Sequence, residues 1–289
     1  MYSRLIELIA EAAPLGFIPA TEMLTEYINS TDNITDIIQQ IGTIPESLDH
    51  DSSEEKLFSK ASDVVLSRAF RELGLKSTVI TERADSADVL AESPFHGYTL
   101  VADAKAFRMS RTAKNQKDFK VTALSGWRKD ADYAVLCSPY FQYPQVRSQI
   151  YKQAIDHNVA LISWEHLIFL IKHHVLESEK INLAQLWNFS GAYAEKVVVS
   201  ESKRCFIPDY SSFLTELAGL TQNDFSELID SQIEIIKQRG NAERSYWEYQ
   251  KAEIQSYSRE KAIDELVKSM RMDEKISQIE SYIRGLRNA

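Results

Sequence analysis

The sequence predicts an α/β (α+β) fold: a mixed central β-sheet flanked by helices, with helical N- and C-terminal regions. Three observations predict it. Short β-leaning runs crowd the middle of the chain. Helical periodicity dominates both ends. Only nine glycines and seven prolines interrupt 289 residues, with no proline after Pro208. At 44% hydrophobic and 26% charged residues, the composition is that of a globular chain able to bury a core. Disorder, a collagen repeat and a disulfide scaffold are excluded.

The first fifty residues read as a helical N-terminal region. Leu5, Ile6, Leu8 and Ile9, then Met23, Leu24 and Ile28, then Ile34, Ile37, Ile38 and Ile41 recur at helical spacing between Pro, Thr/Asn and Gly stops. At Ser52-Ser53-Glu54-Glu55 the Ser-x-x-Glu form of a capping box opens a clearer helix. Leu57, Ala61, Val64, Val65 and Ala69 give its apolar stripe, and Gly74 its stop. Strands are expected at 77–81, 87–91, 98–104, 133–137 and 159–163. Helices are expected over 145–157 as a crossover and over 164–174. Three close strands followed by α-β-α alternation predict the mixed sheet. Residues 51–190 form this core, and 191–289 read as a helical C-terminal region, charged and amphipathic from about Phe213. No clean linker separates the three, so one domain and several are both compatible with the pattern.

Thirty-three Lys plus Arg against forty-two Asp plus Glu leave a formal charge of −9, a weak argument against general nucleic-acid binding. No apolar run approaches the ~20 residues of a membrane span. The opening MYSRLIELIAEAAP carries two glutamates and stops at Pro14, which suits an amphipathic helix better than a signal peptide. Cys137 and Cys205 lie far apart without metal spacing. A cytoplasmic protein is expected.

One constellation carries chemistry. Asp88 lies in the second expected strand, and Leu100-Val101-Ala102-Asp103-Ala104-Lys105 closes the third. Residues i and i+2 of a strand share a face, so Asp103 and Lys105 project together. The hairpin-length turn 92–97 lets an antiparallel pairing bring Asp88 beside Asp103. Two carboxylates suit a hard divalent cation such as Mg²⁺, which activates water and neutralises charge building on a phosphate. A lysine on the same face can position that water. Asp-x-Lys alone is weak evidence, because such a pair at a strand end is usually a solvated ion pair contributing ~0–1 kcal/mol.

The next segment adds weight. From Ala104 to Lys129 eight cations stand against one acid, Asp118. Lys105, Arg108, Arg111, Lys114, Lys117 and Lys120 fall every third residue, a step that spreads them around a helix instead of along one face. A segment wrapped by a polyanion explains this better than a single solvated helix face. Ser110, Thr112, Asn115 and Gln116, interleaved among the cations, can hold phosphates or read base edges.

At these residues the chain also resembles a known family. The runs EKLFSKASDVVLSRAF, VADAKAFRMSRTAKNQKDFKV, DYAVLCSPYFQYP, SWEHL and QLWNF are similar to the HindIII family of type II restriction endonucleases, within the PD-(D/E)xK nuclease superfamily. The similarity is close from Glu55 to Phe189 and weaker through Tyr246-Trp247 and REKAIDEL. It implies a restriction-endonuclease-like core and a homodimeric, Mg²⁺-dependent nuclease. Such an enzyme cuts both strands of double-stranded DNA at AAGCTT after the first A, leaving 5′ overhangs. By position, Asp103 is the central metal ligand, Asp88 the second, and Lys105 the partner of the attacking water. The Ala104 backbone carbonyl and the helix-borne Glu55 are further metal-ligand candidates. Ala87 stands where the motif's proline would be. The nearly intact RTAKNQKDFK implies the same recognition sequence, with Arg108, Ser110, Arg111, Thr112, Lys114, Asn115, Gln116, Lys117 and Lys120 as DNA-binding candidates. The implied setting is a bacterial cytoplasm that also holds a cognate DNA methyltransferase, with no direct contact required.

Two alternatives stay open on the sequence: a PD-(D/E)xK nuclease of different specificity, and a catalytically inactive DNA-binding protein. The six histidines show no ligand spacing to one another. Cys137 reads as a buried strand residue and Trp164 and Trp187 as core, while Tyr140, Phe141 and Tyr143 fit core, dimer surface or DNA contact.

Overall fold

The computed structural model describes residues 2–80, 86–111, 116–144, 148–195 and 202–286. They divide into two compact units, 1–240 and 241–289. The first opens with helices α1 (Tyr2–Ala12), α2 (Phe17–Ser30) and α3 (Thr35–Ile41), whose buried Leu5, Ile9, Leu24, Ile28, Ile37 and Ile41 are the periodic apolar positions of the sequence.

Helix α4 (Ser53–Glu72) begins where the Ser-x-x-Glu pattern places it. Ser52 Oγ accepts from the Glu55 backbone N–H. The reciprocal half of the box departs from expectation: Glu55 Oε2 accepts from Asp51 N–H, one residue before the cap. Gly74 ends the helix at φ +84°, a conformation that glycine adopts without a Cβ penalty.

Strands β1 (Lys76–Val79), β2 (Val89–Glu92), β3 (Thr99–Ala104), β4 (Tyr133–Ser138) and β5 (Val159–Ser163) form one sheet in sequential order. The first three are antiparallel; β3, β4 and β5 are parallel. The mixed sheet is therefore the one the sequence predicts. Its expected first strand runs to Thr81, which lies outside the described residues. Short helices α5 (Gln116–Phe119) and α6 (Val121–Trp127) connect β3 to β4, and α7 (Ile150–His157) connects β4 to β5. Parallel neighbours require such crossovers. Of the crossover helix expected over 145–157, residues 145–147 lie outside the described residues.

The middles of β3, β4 and β5 are buried, as parallel strands covered on both faces must be. Helix α4 lies against β1, β2 and β3, and α2 lies against α4. Helix α8 (Trp164–Lys172) follows β5 directly, capped by Ser163 and His166 in a reciprocal box. His166 is buried between Ser163 and Ser211, and burial pushes its pKa down to about 3, so it stays neutral. Helices α9 (Ala184–Trp187), α10 (Phe189–Ala194) and α11 (Ser202–Leu217) complete this flank. Tyr143 is core: it stacks on Phe119 and donates to Leu136 O and Ile162 O. Cys137 and Trp187 are also fully buried.

Helix α12 (Gln222–Gln255) carries the chain into the second unit, which continues through α13 (Arg259–Ser269) and α14 (Met272–Leu286). Ser258 caps α13 by accepting from Lys261 N–H. In this unit Trp247, Ile263, Leu266, Ile276 and Ile279 are each at least half exposed. No helix among the described residues is long and apolar enough to cross a membrane.

Candidate active site

The β2–β3 register pairs Val89 with Ala102. One residue further along the register breaks: the Asp88 N–H also donates to Ala102 O, so Asp88 shares the partner of Val89 at the end of β3 that carries Asp103. Asp88 lies just before β2 yet keeps ladder contacts, donating from N–H to Ala102 O and accepting at its carbonyl from Ile80 N–H. Asp103 is buried, 2% exposed. Lys105 follows β3, and its N–H extends the parallel ladder to Cys137 O. Its Nζ lies 2.5 Å from Asp103 Oδ2. Asp88, Asp103 and Lys105 are thus gathered as the strand spacing predicts, and Ala104 closes β3 between the last two.

A third acid joins them that the sequence reading did not single out. Asp63, from the middle of α4, is buried at 6% exposure. Burial pushes its pKa well above the carboxylate range; Asp88 and, less strongly, Asp103 push it the same way, opposed by Lys60. The Lys60 Nζ lies 3.5 Å from Asp63 Oδ2 and donates to Ile80 O. Asp88 is pushed up to about 6, first by burial, then by the charge of Asp103 and by hydrogen bonding with it; Lys105 and Lys60 pull the other way. The signal for Asp63 is in the sequence: it is the lone acid in Ala61–Ser67, otherwise small or apolar. The whole run is buried.

Three crowded carboxylates, of which Asp63 and Asp88 have raised proton affinity, and two flanking lysines make a donor set suited to a hard cation. Oxygen ligands are what Mg²⁺ takes, and a bound cation relieves the repulsion that adds to burial in raising the Asp63 and Asp88 pKa values.

Glu55 is elsewhere. Eight residues before Asp63, it lies about 12 Å away along the helix axis. Its Oε1 accepts from Arg108 Nη2 at 2.6 Å, and Oε2 holds Asp51 N–H at 2.7 Å. His50, Asp51 and Glu55 also bring a ring nitrogen and carboxylate oxygens within 4.8 Å of one another, a group that could hold a metal ion.

The cation-rich segment is partly committed to the protein itself. Arg108 donates to Pro45 O and Leu48 O in addition to Glu55. Ser110 donates to Glu46. Arg111 pairs with Asp118 and lies over the Phe107 ring. Lys117 is exposed, and Lys120, at φ +52°, is exposed with its Nζ 6.0 Å from the Trp127 ring centroid. Thr112, Lys114 and Asn115 lie outside the described residues, as does the side chain of Gln116.

Beneath the site, Trp164 Nε1 donates to Lys105 O at 3.1 Å, so this core tryptophan also fixes the backbone that carries the lysine. Gly42 admits the indole: a Cβ there would stand 2.6 Å from Pro139 Cγ and 2.8 Å from Trp164 Cδ1.

Comparison with known proteins shows the family. The Type II restriction enzyme HindIII of Haemophilus influenzae (strain ATCC 51907 / DSM 11121 / KW20 / Rd) is 42% identical over 287 residues, spanning 99% of this chain and 96% of that protein. The solved structure of restriction endonuclease FokI is similar at a TM-score of 0.38 and 12% identity, over 58% of this chain and 33% of that one. Residues 20–283 match the HindIII restriction endonuclease family, and with the relative matched almost end to end the chain belongs to that family.

Proposed function

We propose that this chain is a type II site-specific deoxyribonuclease that hydrolyses double-stranded DNA at AAGCTT, cutting after the first A to leave 5′ overhangs. The observation that carries the chemistry is the meeting of Asp88, Asp103 and Lys105 where β2 and β3 pair. Asp88 and Asp103 would hold Mg²⁺, with Asp63 as a third carboxylate beside them and the Ala104 carbonyl as a further donor. When bound, the cation lowers the pKa of water and neutralises charge accumulating on the phosphate.

The chain's own residues do the rest. The Lys105 ammonium, fixed by Asp103 through its side chain and by Trp164 through its backbone, orients the attacking water in line with the scissile bond. It also stabilises negative charge developing on the phosphate oxygens. No covalent intermediate is required, and the products carry a 5′ phosphate and a 3′ hydroxyl.

Recognition is assigned to 108–120: Arg111, Thr112, Lys114, Asn115, Gln116, Lys117 and Lys120 are the residues assigned to phosphates and base edges, while Arg108 and Ser110 anchor the start of the segment. A palindrome asks for two-fold symmetry, so the active species is a homodimer with one protomer on each half-site. The same cell must contain a methyltransferase that protects AAGCTT, because an unrestrained endonuclease would cut host DNA; direct contact is unnecessary.

The test is incubation with plasmid bearing AAGCTT, with and without Mg²⁺, beside Lys105→Ala, with the ends sequenced. Mg²⁺-dependent cuts after the first A that vanish in the variant are the expected result. Cuts at another sequence would keep the chemistry and discard the specificity. Tight binding without cutting would make the chain a DNA reader.

A further inference from the structure

The segment that leaves the catalytic strand is fastened to one loop of the N-terminal region. Phe107 N–H donates to Gly42 O at 3.0 Å, Ile44 N–H donates to Phe107 O at 3.2 Å, and Thr43 and Phe107 form a parallel bridge. Arg108 reaches Pro45 O and Leu48 O. Last comes Ser110, whose N–H donates to Glu46 Oε1 at 3.0 Å and whose Oγ donates to Glu46 Oε2 at 2.9 Å.

Glu46 is buried at 5% exposure. Burying a carboxyl is costly unless its oxygens are satisfied, and a Leu or Thr would fill the space without that cost. What a carboxyl adds is geometry. Two acceptor oxygens take the main-chain and side-chain donors of one residue together, fixing both the backbone and the rotamer of Ser110. Ser110 lies five residues beyond Lys105 and directly before Arg111, at the junction between chemistry and recognition.

We infer that Glu46 is a positioning residue for sequence discrimination: through Ser110 it sets the register of the recognition segment against Lys105. The inference rests on the reading of 108–120 as the recognition segment. With the Ser110 hydroxyl proton turned onto Glu46, Oγ keeps only lone pairs to offer. It then suits an amino donor on a base edge and not a phosphate oxygen.

The test compares single-turnover cleavage of duplexes bearing AAGCTT with duplexes altered at one base pair, for the unmutated enzyme, Glu46→Ala and Glu46→Gln. The cognate-to-altered ratio is expected to fall about tenfold in Glu46→Ala, the scale of one base contact. Glu46→Gln, whose amide oxygen still accepts from the Ser110 N–H but whose NH₂ can only donate to Oγ and so frees the hydroxyl proton, is expected to give a ratio between those of the unmutated enzyme and Glu46→Ala. A purely structural residue would slow all duplexes equally, in step with a lower melting temperature, and that result, or an unchanged ratio in Glu46→Ala, overturns the inference. If Glu46→Ala does not fold, Glu46→Asp, too short to span both atoms, decides by the same ratio. Failure of the unmutated enzyme to prefer AAGCTT would instead overturn the assigned specificity.

Discussion

Asp88 is held beside Asp103 by the hydrogen bond from its N–H to Ala102 O, and burial together with the charge of Asp103 pushes the Asp88 pKa up to about 6. The unfolded value is about 3.9. Between the two, the folded chain holds more protons than the unfolded chain, so stability falls as pH rises through this window and the loss is complete above it. In EDTA, the melting temperature of Asp88→Asn is expected to rise relative to the unmutated protein between pH 4 and pH 7. Parallel curves for the two proteins would contradict the assignment.

Electrostatics also predicts how metal and DNA binding are linked. Asp88 and Asp103 repel the phosphate they must approach, and a bound cation cancels that repulsion. With Ca²⁺ in place of Mg²⁺, to hold DNA without cutting it, affinity for an AAGCTT duplex is expected to rise by about tenfold or more, ~1.4 kcal/mol. Asp103→Asn is expected to remove most of that gain. Gel shifts with and without Ca²⁺ measure it, and equal affinity in both conditions for the unmutated protein is the contrary outcome.

Asp63 gives a separate test, because helix α4 and not the strand pair delivers it. An amide of the same size keeps the packing and removes the charge. Asp63→Asn is expected to slow cleavage about 10–100-fold, the scale seen when groups supporting a metal site are changed. DNA binding without metal is expected to change little, because burial already holds Asp63 toward its neutral form. Calorimetric titration of Mn²⁺ into the metal-free variant is expected to show weakened binding; an unchanged titration and rate would remove Asp63 from the site.

The strands were legible because the β-leaning runs 133–137 and 159–163 are short and bounded, and Asp88 with Asp103 because a hairpin-length turn separates them. Asp63 was not legible by periodicity, which sorts a helix into an apolar and a polar face; α4 is buried nearly all round at its centre, so the polar position is also an inner one. Glu55 illustrates the converse. An acid at the start of a helix is predicted locally, but its partner Arg108 is 53 residues away, and only the folded chain shows that the pair fastens a loop. The same distance hides the destinations of Arg108 and Ser110, which on sequence alone are indistinguishable from cations and hydroxyls facing DNA.

Gly42 tests the support beneath the lysine. A methyl group there meets Pro139 and the Trp164 ring well inside contact distance, and the backbone φ of −70° makes the obstacle steric, not conformational. Gly42→Ala is expected to destabilise the fold by ~1–3 kcal/mol, as overpacking does, and to loosen the Trp164–Lys105 hydrogen bond. Cleavage in the folded variant should fall more than DNA binding. Trp164→Phe, which removes the N–H and part of the buried indole, is expected to lower the melting temperature as a cavity does, and in the folded variant cleavage is again expected to fall more than DNA binding.

The C-terminal unit gives the test of assembly. Ile263 and Leu266 lie three residues apart on α13, and Ile276 and Ile279 three apart on α14, a spacing that places each pair on one helical face. All four are at least half exposed, and exposed apolar side chains on one helical face can seat a partner. A second copy of the chain is the partner that palindromic recognition requires. Light scattering is expected to give twice the 33.0 kDa chain mass, and Leu266→Glu with Ile279→Glu is expected to reduce it to one. Each freed protomer would retain Asp88, Asp103 and Lys105 but reach only one strand of the duplex. The double variant should therefore nick plasmid to the open circular form, weakly and with first-order dependence on protein concentration. A dimer of unchanged mass that still linearises plasmid in one binding event would place the interface elsewhere on the chain.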